Sequence, residues 1–261
     1  MRLTVVSLIL TVFFAAFIAG CSRKPSEQPP PAEVKEAAQP EEEDEAQPER
    51  RKRPAEQTEE TAVVPAPTVT PEQAAKARLM NPAQLNEKAP ETFRAKFTTS
   101  KGDFVIEVTR AWSPNGADRF YNLVKNGYYN DCRFFRVISD FMVQFGINGD
   151  PSLNQAWNQA RIADDPVKES NIRGYVTFAM SSQPDSRTTQ IFINYKDNAF
   201  LDAQRFAPFG IVIEGMDVVD SFYNEYHGVP SDNQPQIQAQ GNAYLNKEFP
   251  RLDYIKSAAI I

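Results

Sequence analysis

The sequence predicts a mainly β domain, a closed antiparallel barrel with two helices, at the end of a long unstructured arm. Three observations predict it. From Ser22 through Thr92 there is no Gly, Phe, Tyr or Trp, while 12 of the 20 prolines lie between Pro25 and Pro90. All 26 aromatic residues beyond position 21 lie from Phe93 onward. From there, short apolar runs recur between turn residues, with only two helical patterns among them. A segment without aromatics and dense in Pro, Glu, Gln and Ala cannot bury enough apolar surface to offset its ordering entropy. The globular part is therefore residues 91–261, one domain's worth.

The elements follow in order. Phe93, Ala95 and Phe97 alternate with polar residues, as do Phe104, Ile106 and Val108 after Lys101-Gly102-Asp103, which reads as a hairpin. Ser113-Pro114 opens a helix with Phe120, Leu123 and Val124 on one face, and Gly127 ends it. Strand-like runs follow at Phe134–Ile138, Phe141–Phe145, Tyr175–Met180, Ile191–Asn194 and Phe209–Ile213, and a second helix from Met216 to about Asn224 turns Val218, Val219 and Phe222 inward. Gly241–Leu245 and Leu252–Ile255 suggest an added strand or helix covering a barrel edge.

Composition excludes much chemistry. A net charge of -6 argues against a nucleic-acid partner. Two cysteines and one histidine, His227, leave no room for a zinc cluster, a disulfide framework or a histidine-based triad. Neither a metal nor a cofactor is expected. Cys132 reads as a small buried hydrophobe, and His227 as a loop residue.

The N-terminus reads as an address. Arg2 precedes an apolar and small-residue run from Leu3 to Ile18, then Ile18-Ala19-Gly20-Cys21 and polar Ser22-Arg23-Lys24, the layout of a secretory signal over residues 1–20. The tetrapeptide resembles the bacterial lipobox, which implies that Cys21 is lipidated as the first mature residue. The alternatives are an uncleaved membrane anchor, since such a run could just span a bilayer, and plain secretion. In each case the domain leaves the cytoplasm. Ser22 after the cysteine resembles the outer-membrane sorting choice, facing the periplasm if the cell has two membranes.

Residues 21–90 then form a lipid-anchored tether. It carries Pro29-Pro30-Pro31, an acidic block Glu41–Glu45 and a basic block Arg50–Arg53. As a coil it spans roughly 45 Å, enough to lift a domain clear of a lipid surface. The basic block reads as solvated linker, or as a contact for anionic lipid or wall polymers. Thr70-Pro71-Glu72 before Gln73–Met80 marks a short capped helix.

The most specific run is Phe134-Phe135-Arg136-Val137-Ile138-Ser139-Asp140-Phe141-Met142-Val143-Gln144. A guanidinium beside Phe141 and Met142 is either a rigid donor fork at the rim of an apolar pocket or an Arg that snorkels from a strand to a surface acid. For each aromatic here, ordinary barrel core is the alternative reading. The run resembles the central motif of the cyclophilins, the cyclosporin-binding peptidyl-prolyl isomerases. So do Gly174–Met180 with Gln190–Ile193, Phe200-Leu201-Asp202 leading into Phe206–Gly210, and Val212–Val219. The likeness covers about residues 93–228, in the family's order.

The resemblance implies an eight-stranded barrel closed by two α-helices, with an outer groove for proline-containing polypeptides; a monomer is expected, though the sequence does not say whether the domain pairs with itself. By position it implies Arg136 as the catalytic arginine and Gln144 as its polar partner on the substrate backbone. Phe141, Met142, Phe192 and Leu201 would hold the proline ring, and Ala179 and Gln190 would line the groove. Phe200 stands where many members carry Trp, and Phe206 where many carry His or Tyr; both join the substrate-binding set. Phe135 replaces a common His and Met180 a common Asn or Arg, departures that bear on cyclosporin binding and on polar substrate contacts. The function implied is a prolyl isomerase or folding helper of the bacterial cell envelope. A non-catalytic module that holds Pro-containing segments is the alternative.

Overall fold

The structure, a computed structural model, describes residues 70–261; the signal segment, Cys21 and the arm to residue 69 lie outside the described residues. The hairpin is formed by β1 (Thr92–Thr99) and β2 (Asp103–Thr109), with Phe97 opposite Phe104. Strict alternation buries Phe93, Ala95 and Phe97 and leaves Arg94 and Lys96 outside, because successive strand residues face opposite sides. The outer face pairs Arg94 with Glu107 and Lys96 with Asp103 across the strands.

Helix α2 (Pro114–Lys125) packs Phe120, Leu123 and Val124 onto the sheet. Its first turn is capped from far away. The Asp165 carboxylate accepts the Asn115 and Gly116 amides and the Ser113 hydroxyl, satisfying orphan N–H groups and meeting the positive end of the helix dipole.

The remaining strands are β3 (Arg136–Ile138), β4 (Met142–Phe145), β5 (Tyr175–Phe178), β6 (Ile191–Asn194), β7 (Pro208–Glu214) and β8 (Ile255–Ile260). All pair antiparallel in the order β3-β4-β6-β5-β7-β2-β1-β8. Register shifts in three of the pairings bend the sheet around its aromatic core. Phe97 stacks on Phe104 at 4.9 Å between centroids, and Phe120, Tyr129, Phe145 and Phe209 fill the space around them.

The expectation of a closed barrel is corrected: the sheet is an open, curled half-barrel. Its edge strands β3 and β8 share no ladder. The segments preceding them meet at an isolated bridge, Arg133 to Tyr254, and through Phe134 N–H donating to Asp253. β3 has only three residues, and its Val137 N–H is taken by the His227 carbonyl.

The two-helix expectation is also revised. Helix α4 (Met216–Asp220) is five residues long, not nine. Ser221 bonds back to Val218, and the Tyr223 amide donates to Asp253, so the chain turns away while Val219 and Phe222 remain buried. Short helices α3 (Pro151–Trp157), α5 (Gln234–Gln240) and α6 (Asn242–Glu248) add to the shell. A satellite cluster of Phe135, Ile147, Ile237, Leu245 and Leu252 seats α5 and α6. β8 covers the free edge of β1, as edge strands require.

The tether boundary moves as well. Helix α1 (Pro71–Leu79) starts at Thr70 in a capping box with Gln73, and Leu79 is buried. Trp157 Nε1 donates to the Leu79 carbonyl, and the Glu87 and Ala89 amides donate to Asn122 and Asp118. Residues 70–90, assigned from the sequence to the tether, therefore belong to the packed body. Among the described residues no helix is long and apolar enough to cross a membrane.

Cys132 is fully buried and unpaired, and burial pushes its thiol pKa up, which suppresses the reactive thiolate. Iodoacetamide should leave Cys132 unmodified in the folded chain and alkylate it in strong urea, read by peptide mass mapping. Rapid modification of the folded protein would contradict this packing.

Candidate active site

The site is built by the two-residue period of three adjacent strands. In β3, Val137 enters the core while Arg136 and Ile138 face outward; in β4, Val143 and Phe145 enter while Met142 and Gln144 face outward; in β6, Ile191 and Ile193 enter while Phe192 faces outward. Register then sets neighbours. Arg136 lies opposite Gln144, and Gln144 opposite Phe192. One guanidinium, one amide and one ring thus form a row across the outer surface.

Hydrogen bonds lock that row. Arg136 Nη1 donates to Gln144 Oε1 at 3.1 Å, Gln144 Nε2 to Gln190 Oε1 at 2.8 Å, and Gln190 Nε2 to Gln234 Oε1 at 3.1 Å. Gln190 reaches Gln144 because the chain passes tightly at Gly146. There φ is +106°, and a Cβ would sit 2.5 Å from the Thr189 carbonyl oxygen, so only glycine fits. Burial pulls the half-buried Arg136 guanidinium below its usual pKa, opposed by the Asp232 charge. Its Cζ also lies 5.9 Å from the Phe141 ring centroid.

Beside the guanidinium, Met142, Phe192 and Leu201 form a separate buried cluster, flanked by Ile138, Phe141, Ala179 and Phe206. Leu201 arrives on a 3-10 turn (Ala199–Gln204) closed by left-handed Arg205. Asp202 holds that turn by accepting Ser170 Oγ and the Asn171 amides. Burial alone would raise the Asp202 carboxyl, but these donors outweigh it and hold its pKa below the usual value. Phe206 meets Phe192 edge-on at 5.7 Å. The pocket, open to solvent on one side, has a volume of about 170 Å³, the scale of one small ring rather than of a drug-sized ligand, for which about 300–1,000 Å³ is usual.

Of the residues expected from the sequence, Arg136, Phe141, Met142, Gln144, Ala179, Phe192, Leu201 and Phe206 line this cavity. Gln190 stands behind Gln144 and lines a second, adjoining cavity of about 510 Å³. Phe200 does not enter either cavity: it is 57% exposed and stacks on the outside of Phe141. Two lining residues were absent from the expected set, Met180 and Gln234. Gln234 carries no local signal, because its partner Gln190 is 44 positions away. Among the described residues no group of three or more His, Cys, Asp or Glu is placed to hold a metal. What the arrangement offers is an oriented donor fork at the mouth of a small apolar pocket.

Residues 94–241 match the family described as cyclophilin type peptidyl-prolyl cis-trans isomerase/CLD. The chain belongs to the cyclophilin family. A peptidyl-prolyl cis-trans isomerase of Acinetobacter baylyi is 40% identical over 131 residues, covering 48% of this chain and 69% of that protein. One from Streptomyces antibioticus is 39% identical over 136 residues, covering 48% and 80%. Isomerase B of Escherichia coli is 31% identical over 172 residues, covering 61% and 93%. The present cyclophilin is accordingly an enzyme, a peptidyl-prolyl cis-trans isomerase. The matched region runs past the stretch whose motifs resemble the family in sequence, through α5 and up to the start of α6.

Gly146→Ala should destabilise this cyclophilin by about 2–3 kcal/mol, because a left-handed backbone and a carbonyl clash are imposed together. Urea unfolding checks it: an unchanged midpoint would mean that the β4 exit does not constrain Gln144 and Gln190 as described.

Proposed function

We propose that Arg136 accelerates prolyl rotation by stabilising the twisted amide, and that the enzyme does so for proteins folding in the bacterial cell envelope. The observation that carries the chemical part is the oriented guanidinium beside the Met142–Phe192–Leu201 pocket.

The planar prolyl amide resists rotation by about 18–20 kcal/mol because its C–N bond has partial double-bond character. Twisting removes that resonance and leaves the nitrogen pyramidal and basic. A donor aimed at the nitrogen then binds the twisted state better than the planar one, which is the differential binding that lowers a barrier. Arg136 has five N–H donors and only one is committed to Gln144, so the fork stays oriented with donors to spare. Met142, Phe192 and Leu201 hold the ring while the acyl side turns; Gln144 contacts the substrate backbone. Partial burial of Arg136 strengthens the contact by lowering the local dielectric. Rotation forms and breaks no σ bond, so this route uses neither a nucleophile nor a general base.

The cellular part is supported by the sequence. The Leu3–Ile18 run, the Ile18-Ala19-Gly20-Cys21 tetrapeptide and the Pro- and Glu-rich arm together describe a lipid-anchored protein whose catalytic domain stands off the membrane. Prolyl exchange takes tens to hundreds of seconds without help, so an isomerase there would relieve a slow folding step.

With the purified full chain and an Ala-Pro peptide, Arg136→Ala should lower kcat/KM on the order of 10²–10³-fold. Arg136→Lys should recover little of it, because an ammonium cannot reproduce the planar fork. Wild-type activity in Arg136→Ala would remove Arg136 from the mechanism. For the anchor, cells fed radioactive palmitate should label the wild-type protein and not Cys21→Ala; label retained by Cys21→Ala would overturn the lipidation.

A further inference from the structure

Helix α5 lies outside the motifs that carry the proline pocket, yet its first residue reaches the site. Gln234 borders both the small apolar cavity and the larger polar one. Its helix is firmly seated. Ile237 is fully buried against Phe135, Leu245 and Leu252, and the Gln238 carbonyl accepts from Asn154 Nδ2. At the end of α5, Gly241 lies so close to the Gly149 carbonyl that no side chain would fit, and Asn242 N–H donates to that carbonyl. Gln234 is therefore held by packing on one side of the boundary between the two cavities.

The direction of the amide chain follows from Arg136. A guanidinium only donates, so Gln144 must present its Oε1 to Arg136 and its NH₂ to Gln190. Gln190 must then present its NH₂ to Gln234, whose Oε1 accepts it. Every amide in the row is oriented by the charge at one end. The row finishes on the Gln234 NH₂ group, which has no protein partner among the described residues. Two unpaired N–H donors thus stand at the rim of the polar cavity. That cavity is lined by further uncharged hydrogen-bonding groups, including Asn158, Thr188, Ser181 and Gln238, with Arg161 its one charged residue.

We propose that Gln234 is a specificity-determining residue, whose NH₂ group donates to an acceptor-bearing uncharged side chain, of the Gln or Asn kind, on a substrate residue flanking the proline. This rests on the reading of Arg136 and the apolar pocket as the isomerase site. Through its Oε1 the same residue holds Gln190, and so restrains Gln144. Selection and positioning are thereby joined in one amide.

The test compares kcat/KM of the full chain on peptides Ala-Gln-Pro-Ala and Ala-Ala-Pro-Gln with their Leu counterparts, for wild type, Gln234→Ala and Gln234→Glu. Wild type should favour at least one Gln peptide about tenfold, the worth of one net hydrogen bond near 1.4 kcal/mol. Gln234→Glu keeps an acceptor for Gln190 but has no donor, so its preference should disappear, chiefly through KM. Gln234→Ala should lose the preference and also lower kcat on all four peptides, because Gln190 loses its acceptor. A wild-type enzyme without preference, or a preference surviving in Gln234→Glu, would overturn the proposal. No acceleration of any peptide by wild type would instead overturn the site reading beneath it, and loss in Arg136→Ala on Gln and Leu peptides alike separates the two.

Discussion

The site depends on the side-chain period of the strands beneath it. Because alternate residues face opposite sides, a run such as Arg136-Val137-Ile138 must divide its side chains between core and surface. The same division runs through Met142–Phe145 and Ile191–Asn194, and antiparallel register aligns the outward members. A slip of one residue would turn inward Arg136 in β3, Gln144 in β4 or Phe192 in β6, and expose core aliphatics in its place. The aromatic interior around Phe97, Phe120, Tyr129 and Phe145 therefore fixes the surface chemistry, since it accepts only one register.

The departures from the family's usual residues acquire physical meaning from the same geometry. Phe135 follows the core residue Phe134 and points the other way, into the satellite cluster with Ile237 and Leu245. A large apolar side chain there anchors the C-terminal helices immediately beside Arg136, a role an imidazole would fill less well. Phe206 meets Phe192 edge-on, so the pocket is closed by ring contacts where a hydrogen-bonding group often stands. Met180 borders both cavities with a flexible thioether. The hydrogen-bonding groups that border Met180 in the larger cavity are instead Gln190, Gln234 and Gln238.

Much of the fold was legible because the strands are amphipathic and the turns carry glycine. The hairpin, α2 and the inner strands follow from alternation and from the Ser113-Pro114 and Gly127 signals. Helices α3 and α5 were not, and α6 showed only as a strand or helix at Gly241–Leu245, for a plain reason: each is seven residues long. Two turns cannot develop a 3.6-residue pattern, and α5 buries only Ile237. The length of α4 was misjudged because the Asp253 carboxylate that captures the Tyr223 amide lies 30 positions away.

The sequence by itself determined the class of the protein, and its resemblance to the cyclophilins implied the residues of the apolar pocket and the guanidinium at its mouth. The motifs that carry the resemblance are short local strings, and in the strands their alternation sets which side chains face outward. Only the tertiary structure decided that the sheet stays open between β3 and β8, that residues 70–90 pack on the body, that Phe200 lies outside the pocket, and that Gln234 completes the row from Arg136. Those outcomes depend on groups far apart in the chain, Val137 with His227, Leu79 with Trp157, Phe141 with Phe200, Gln190 with Gln234. Local pattern specifies which face a residue takes; which distant partner satisfies its hydrogen bond is settled when the chain closes on itself.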